Sequence, residues 1–389
     1  MQHIPEPLQR RIQEFVDVRR DLHAHPELGL KEIRTSDMIA AKLSRWGYEV
    51  TRGLACTGLV AQIKRGSGTK RLGLRADMDA LPIQETTGLA HASRHEGVMH
   101  ACGHDGHCTM LLAAAQHLAE HGRFSGTLNL IFQPAEEHPG GARLMIEDGL
   151  FERFPCDAIF AMHNMPGIDQ GQLVFFDGPA AASSDDVTII VRGTGGHGAM
   201  PHKSNDPIVA AASIVLGLQS IVSRNVDPRK AAVITVGAFN AGTANNVIPS
   251  QATLELSVRA LDREVRDLLE RRIRSLAQAQ ADSFGLQAEV VYKRDYPVLV
   301  NTRPETDFAR QVGLDLMGAD RVVLQGEPMT GSEDFAFLLD HCPGSYLLIG
   351  NGAGQGSCMV HNPGYDFNDD NIGVGAAFWC LLAERFLQP

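Results

Sequence analysis

The periodicity of the chain changes between residues 183 and 297, and that change constrains the fold more than any other feature. Upstream, helical patterns alternate with apolar runs. The helices are predicted over 8–22, from Thr35 as N-cap through Trp46, and over 106–121 and 143–148; the runs lie at 72–78, 127–132 and 158–162. Such alternation predicts a largely parallel sheet covered on both faces. Inside the window the order is different: strands at 186–192, 231–239, 252–260 and 287–293, with helices at 206–223 and 263–284. This β-α-β-β-α-β order is the ferredoxin-like motif. Downstream, α/β character returns, with helices near 305–317, 334–339 and 370–387 and a strand at 346–349. The predicted architecture is α/β: a mostly parallel-sheet domain built from 1–182 and 298–389, interrupted by an inserted ferredoxin-like domain over 183–297.

A chain of 389 residues, 44% of them hydrophobic, has material for two such cores. Its net charge of −11, with basic residues scattered apart from Arg271, Arg272 and Arg274, argues against nucleic acid as a partner. No apolar run is read as approaching the roughly 20 residues of a membrane span, so no membrane is expected. The N-terminus shows no basic segment followed by an apolar one. Seven cysteines without paired Cys-x-x-Cys spacing suggest reduced thiols and a cytoplasmic protein.

Chemistry concentrates in Met99-His100-Ala101-Cys102-Gly103-His104-Asp105-Gly106-His107. A thiol and several imidazoles beside two glycines form a metal-ligand pattern. Cys102 and His104 are the candidate ligands, in the loop before the helix at 106. Asp105 caps that helix or orients a ligand. His107 and Cys108 fall inside the helix and are assigned to packing, and His100 is set aside. No second cysteine pair closes a structural zinc site.

Further candidates fall just past predicted strand ends, where open α/β sheets gather their sites. Glu136 and Glu137 follow the strand ending at Phe132, and His163 follows the one ending at Met162. His361 lies in the Gly-rich loop after the last strand. In the turn after a strand, one glutamate can bind metal while its neighbour takes a proton from water; His138 is expected to face solvent. Asp77 and Asp79 close an apolar strand, where acids are costly unless paired, so they are read as groups that hold a ligand. In the inserted domain, four glycines surround His197 near His202, and Asn246 and Arg259 suit a carboxylate.

Taken together, the chain resembles the metal-dependent aminoacylase and carboxypeptidase family (peptidase family M20), in its hippurate-hydrolase branch of N-acyl-amino-acid amidohydrolases. The matching segments are 21–28 (Asp-Leu-His-Ala-His-Pro-Glu-Leu), 75–82, 99–106, 134–137, 162–164, 195–202, 246–249, 331–335 and 361–363, in order along nearly the whole chain. The resemblance implies a metallopeptidase-like catalytic domain with a dimerisation and lid domain inserted. It implies two divalent ions, manganese first and zinc, cobalt or nickel otherwise, bound by Cys102, His104, Glu137, His163 and His361. Cys102 stands where the broader family has a carboxylate. Glu136 is implied as general base and His197 as oxyanion donor, with His202 the alternative. Asn246 and Arg259 are implied to hold the substrate carboxylate. A dipeptidase, a deacylase of diaminopimelate biosynthesis, a non-catalytic metal binder and a thiol enzyme using Cys102 are the rival readings.

Overall fold

The computed structural model describes residues 4–353 and 358–388, which leaves part of the Gly-rich segment before His361 outside the described residues. It divides into two compact units: Met1–Gly178 with Val300–Glu327 and Asp334–Pro389, and Pro179–Leu299 with Pro328–Glu333.

The first unit is built on an eight-stranded sheet. Its order is Glu49–Leu54, Gly58–Arg65, Gly126–Gln133, Arg71–Asp77, Ala158–Pro166, Gly344–Gly352, Leu173–Val174 and Val322–Val323. The middle four strands run parallel to one another, as the apolar runs predict. The first two form an antiparallel hairpin that the sequence reading does not contain. The helix His104–His121 is buried along most of its length and packs against Ile12–Ala24 and Asn371–Phe386. A helix apolar on nearly all sides belongs in a core.

Three local expectations are corrected. The helix expected to be capped by Thr35 runs over Ile33–Arg45, and Thr35 is buried within its first turn. Its free backbone N–H groups are satisfied from outside, because Glu27 accepts from Arg34 N and Thr35 N at 3.0 and 2.8 Å. The helix expected from 106 begins at His104, after Gly103 at φ +89°, so His104 belongs to the helix and not to the loop before it. The strand expected to stop at Met162 continues to Pro166, which puts His163 inside it, opposite Leu348.

Within this unit, the chain departs and returns at neighbouring points. Asn301 N–H donates to the Gly178 carbonyl at 2.9 Å. The buried Asn301 side chain is also bonded to the main chain of Tyr346, on the strand Gly344–Gly352.

The second unit has an antiparallel sheet in the order Ala232–Ala241, Gln251–Ala260, Ser183–Arg192, Gln287–Arg294. With helices Pro207–Asn225 and Arg263–Ser283 between strands, this is the ferredoxin-like arrangement. Asp206 and Asp262 cap the two helices with their side chains. The helix Pro207–Asn225 is long and apolar enough to cross a membrane, a run the sequence reading did not recognise. Its Ala210, Ala211, Ile214, Leu218 and Ile221 are buried in the core of this unit.

Candidate metal centre

Because the four middle strands are parallel, their carboxyl ends reach one edge of the sheet. Asp77 ends one strand and Asp79 follows it; Glu136 and Glu137 follow the strand Gly126–Gln133. His163 lies near the end of a third, and His361 comes after the fourth, with its N–H donating to the Ala101 carbonyl at 2.7 Å.

There two donor triads meet. Ligand atoms of Cys102, His104 and His163 lie within 4.8 Å of one another, as do those of Cys102, Glu137 and His361. Cys102 belongs to both. Its Sγ is 3.3 Å from His163 Nε2, and His361 Nε2 is 3.0 Å from Glu137 Oε1. Glu136 stands beside them, in a further group with His104 and Glu137.

Hydrogen bonds orient the imidazoles. His163 donates from Nδ1 to the Asn164 carbonyl at 2.6 Å, which turns Nε2 toward Cys102. His104 donates from Nδ1 to Asp79 at 3.2 Å. That leaves His104 Nε2 buried with no hydrogen-bond partner among the described residues. A buried orphan nitrogen costs about 1–3 kcal/mol unless something binds it. Asp79 also accepts from Glu136 N and Glu137 N, each at 3.0 Å. One carboxylate thus fixes a histidine and the whole glutamate turn. The turn bends sharply: Ala135 has φ +53°, and a Cβ on Gly141 would lie 1.7 Å from the Pro134 carbonyl oxygen.

The charges favour cations. Burial, then the Glu137, Glu136 and Asp77 carboxylates, pushes the Cys102 thiol well above its ordinary pKa. Burial opposes protonation of His104, yet Asp77 and Asp79 raise it to about 10. A thiol nucleophile needs the opposite environment. A mixed sulfur, nitrogen and oxygen donor set with excess negative charge suits divalent transition ions, so the residues fit such a group.

The other expected residues are placed as follows. Asp77 binds His107 Nδ1 at 2.7 Å and Arg75 at 2.7 Å. His107, assigned to packing, accepts at Nε2 from Asn164 N–H at 2.9 Å. Both its nitrogens are engaged, so in the nearby group of Asp77, His104 and His107 the imidazole nitrogen still open is that of His104. Asp105, expected to cap the helix or orient a ligand, accepts from Gly106 N at 2.9 Å and from His23 at 2.8 Å, and pairs with Arg19 at 3.6 Å. It lies in the first helical turn, facing the helix Ile12–Ala24 rather than the donors. His100 is buried, and His138 is exposed. In the second unit, His197 pairs with Val247, and Asn246 O accepts from Gly198 N at 2.7 Å, so His197 and Asn246 are close in the fold. Arg259, on the strand Gln251–Ala260, has a buried Nη1 with no hydrogen-bond partner among the described residues.

Sequence reasoning missed a buried polar layer. Arg75 also binds Gln133 at 2.8 Å and Asp334 at 3.0 Å, and Asp334 N lies 3.4 Å from Glu136 Oε1. Along a second branch, Asn164 Nδ2 lies 3.0 Å from His107 Nε2, and the Tyr365 hydroxyl donates to Asn164 Oδ1 at 2.6 Å. The available signal was an arginine inside the otherwise apolar run at 72–78, which is tolerated only when paired.

The profile of peptidase family M20/M25/M40 matches residues 73–385. The chain belongs to this peptidase family. Among M20 relatives, it is 45% identical to a hippurate hydrolase of Campylobacter jejuni over 96% of this chain and 97% of that one. It is 38% identical to an N-acetyl-L-cysteine deacetylase of Bacillus subtilis over 96% and 88%. A solved dinuclear metal-binding M20 peptidase of Bacillus subtilis superposes with a TM-score of 0.86 at 33% identity, covering 97% of this chain and 99% of that one.

Proposed function

We propose that the protein is a metal-dependent amidohydrolase that cleaves N-acyl amino acids, with hippurate-like compounds as the substrate class. The observation that carries this reading is the pair of donor triads sharing Cys102, with Glu136 beside them. Cys102, His104, Glu137, His163 and His361 would hold two divalent ions. When bound, such ions supply Lewis acidity and lower the pKa of water at the site. A storage or sensing site has no use for a buried spare carboxylate at that place.

Glu136 takes a proton from the attacking water as the new C–O bond forms at the amide carbonyl. It returns that proton to the nitrogen as the C–N bond breaks, releasing a carboxylic acid and a free amino acid. Asp79 and the Asp334 main chain hold Glu136 in place for both transfers. His197, with His202 as the alternative, is assigned to the developing oxyanion. Asn246 and Arg259 are assigned to the substrate carboxylate, and the buried Arg259 Nη1, which has no hydrogen-bond partner among the described residues, supports this.

Manganese is the assigned ion, with zinc, cobalt and nickel to be compared. Seven free thiols favour a cytoplasmic setting. A homodimer through the second unit is supported by its edge strand Ala232–Ala241, where Val233 and Phe239 are exposed. Elemental analysis followed by hydrolysis of N-benzoylglycine and N-acetyl amino acids, with and without chelator, tests the function. Glu136→Gln should keep its metal and lose at least ~100-fold in kcat; near-normal turnover would remove Glu136 from its role.

A further inference from the structure

We infer that Asn164 is a positioning residue that sets the geometry of the Cys102 and His163 donor pair, and through it the protein's hold on divalent metal. This rests on the proposed assignment of those two residues as ligands. Asn164 is fully buried, and its polar groups are engaged on every side. Its main-chain carbonyl accepts from His163 Nδ1 at 2.6 Å and so selects the tautomer that leaves Nε2 free. Its side-chain Nδ2 donates to the Cys102 carbonyl at 2.6 Å. Its Oδ1 accepts from the Tyr365 hydroxyl at 2.6 Å. Its main-chain N–H donates to His107 Nε2 at 2.9 Å, and His107 is in turn anchored on Asp77.

One residue therefore fixes the imidazole of one donor and the main chain of the other, whose Sγ and Nε2 are 3.3 Å apart. The amide cannot flip without losing both side-chain bonds, since its oxygen would then face the Cys102 carbonyl. The space it fills exists because residue 103 is glycine: a Cβ there would lie 2.2 Å from Asn164 Nδ2 and 2.4 Å from the Tyr365 hydroxyl. Groups that orient ligands in this way typically change metal affinity by 10–100-fold. A buried asparagine that merely satisfied its own hydrogen bonds would affect folding stability and leave the metal alone.

The test titrates Co2+ into metal-free protein and reads the thiolate-to-cobalt charge-transfer absorption together with chelator competition. Asn164→Ala should weaken Co2+ binding about 10–100-fold and displace the absorption band. Tyr365→Phe removes one hydroxyl from the layer and should weaken binding by about threefold to tenfold. Binding within twofold of the parent and an unmoved band in Tyr365→Phe, in Asn164→Ala or in both overturn the inference. Cys102→Ala separates the two levels: it should abolish the band and lower the metal content. Parent-like binding in that variant would refute the ligand assignment itself, whatever the Asn164 result.

Discussion

Glu32 shows what a single buried carboxyl contributes away from the donors. It accepts from the Thr57 hydroxyl at 2.6 Å and from Ala135 N at 2.9 Å, and so braces the start of the glutamate turn. Burial raises its pKa to about 7; the Thr57 bond works the other way, and the nearby Asp79 charge adds to the rise. A carboxyl whose folded pKa lies above its unfolded value contributes stability that is fully present below the unfolded value. That contribution is lost as pH rises through the folded one. The metal-free protein should accordingly lose on the order of 2–3 kcal/mol between about pH 4 and pH 7 from this residue. Urea midpoints measured across that range should fall with rising pH, and Glu32→Gln should flatten the fall. An equally steep profile in the variant would mean that Glu32 is ionised in the fold. His23 acts in the same direction at higher pH: burial opposes its charge, but Asp105 raises it to about 9. The sequence placed Asp79, Glu136 and Glu137 correctly at strand ends. It could not show Glu32 as a brace, because its partners Thr57 and Ala135 are distant in the chain and carry no pattern of their own.

At the level of elements, the start of the helix His104–His121 is the sensitive point. Gly103 stands at φ +89°, and its missing Cβ leaves room for Asn164 and Tyr365. Gly103→Ala combines a left-handed backbone penalty with overpacking and should cost roughly 2–5 kcal/mol of unfolding free energy. Chemical denaturation of the metal-free protein measures this, and an unchanged midpoint would contradict the tight turn. The helix was legible from its Leu and Ala content, but its first turn was not. Gly103, His104 and Asp105 read as loop residues, and the left-handed backbone together with the close approach of Asn164 and Tyr365 explains why the glycine belongs there. The hairpin of Glu49–Leu54 and Gly58–Arg65 escaped for a related reason. Its turn is made by Ala55 at φ +48° and Cys56 at φ +68°, not by the Asn-Gly or Asp-Gly pair that announces such a turn. The long helices and strands of the second unit were read to within a few residues because their periodicity is sustained.

At the scale of the whole molecule, the second unit exposes apolar side chains on the helix Pro207–Asn225, where Leu216 is 76% exposed, and along its edge strand. An apolar edge strand left open invites pairing with another copy. If that edge joins two protomers, Phe239→Glu combined with Leu216→Lys should turn a dimer into a monomer by sedimentation velocity while the metal content stays the same. A dimer that survives both charges would place the interface elsewhere. The bond from Asn301 to Gly178 bears on a different question, that of modularity. The chain leaves the first unit and comes back to it at two positions already joined by a hydrogen bond, and Asn301 is stapled to the neighbouring strand. For the first unit, the segment between them is a loop whose ends are pinned together, so its length adds little closure entropy. Such an insertion can be exchanged for a longer, shorter or differently shaped one while the strands that carry the donors stay in register. The fold thus keeps the strands that carry the donor residues and the ferredoxin-like insertion on separate pieces of one chain.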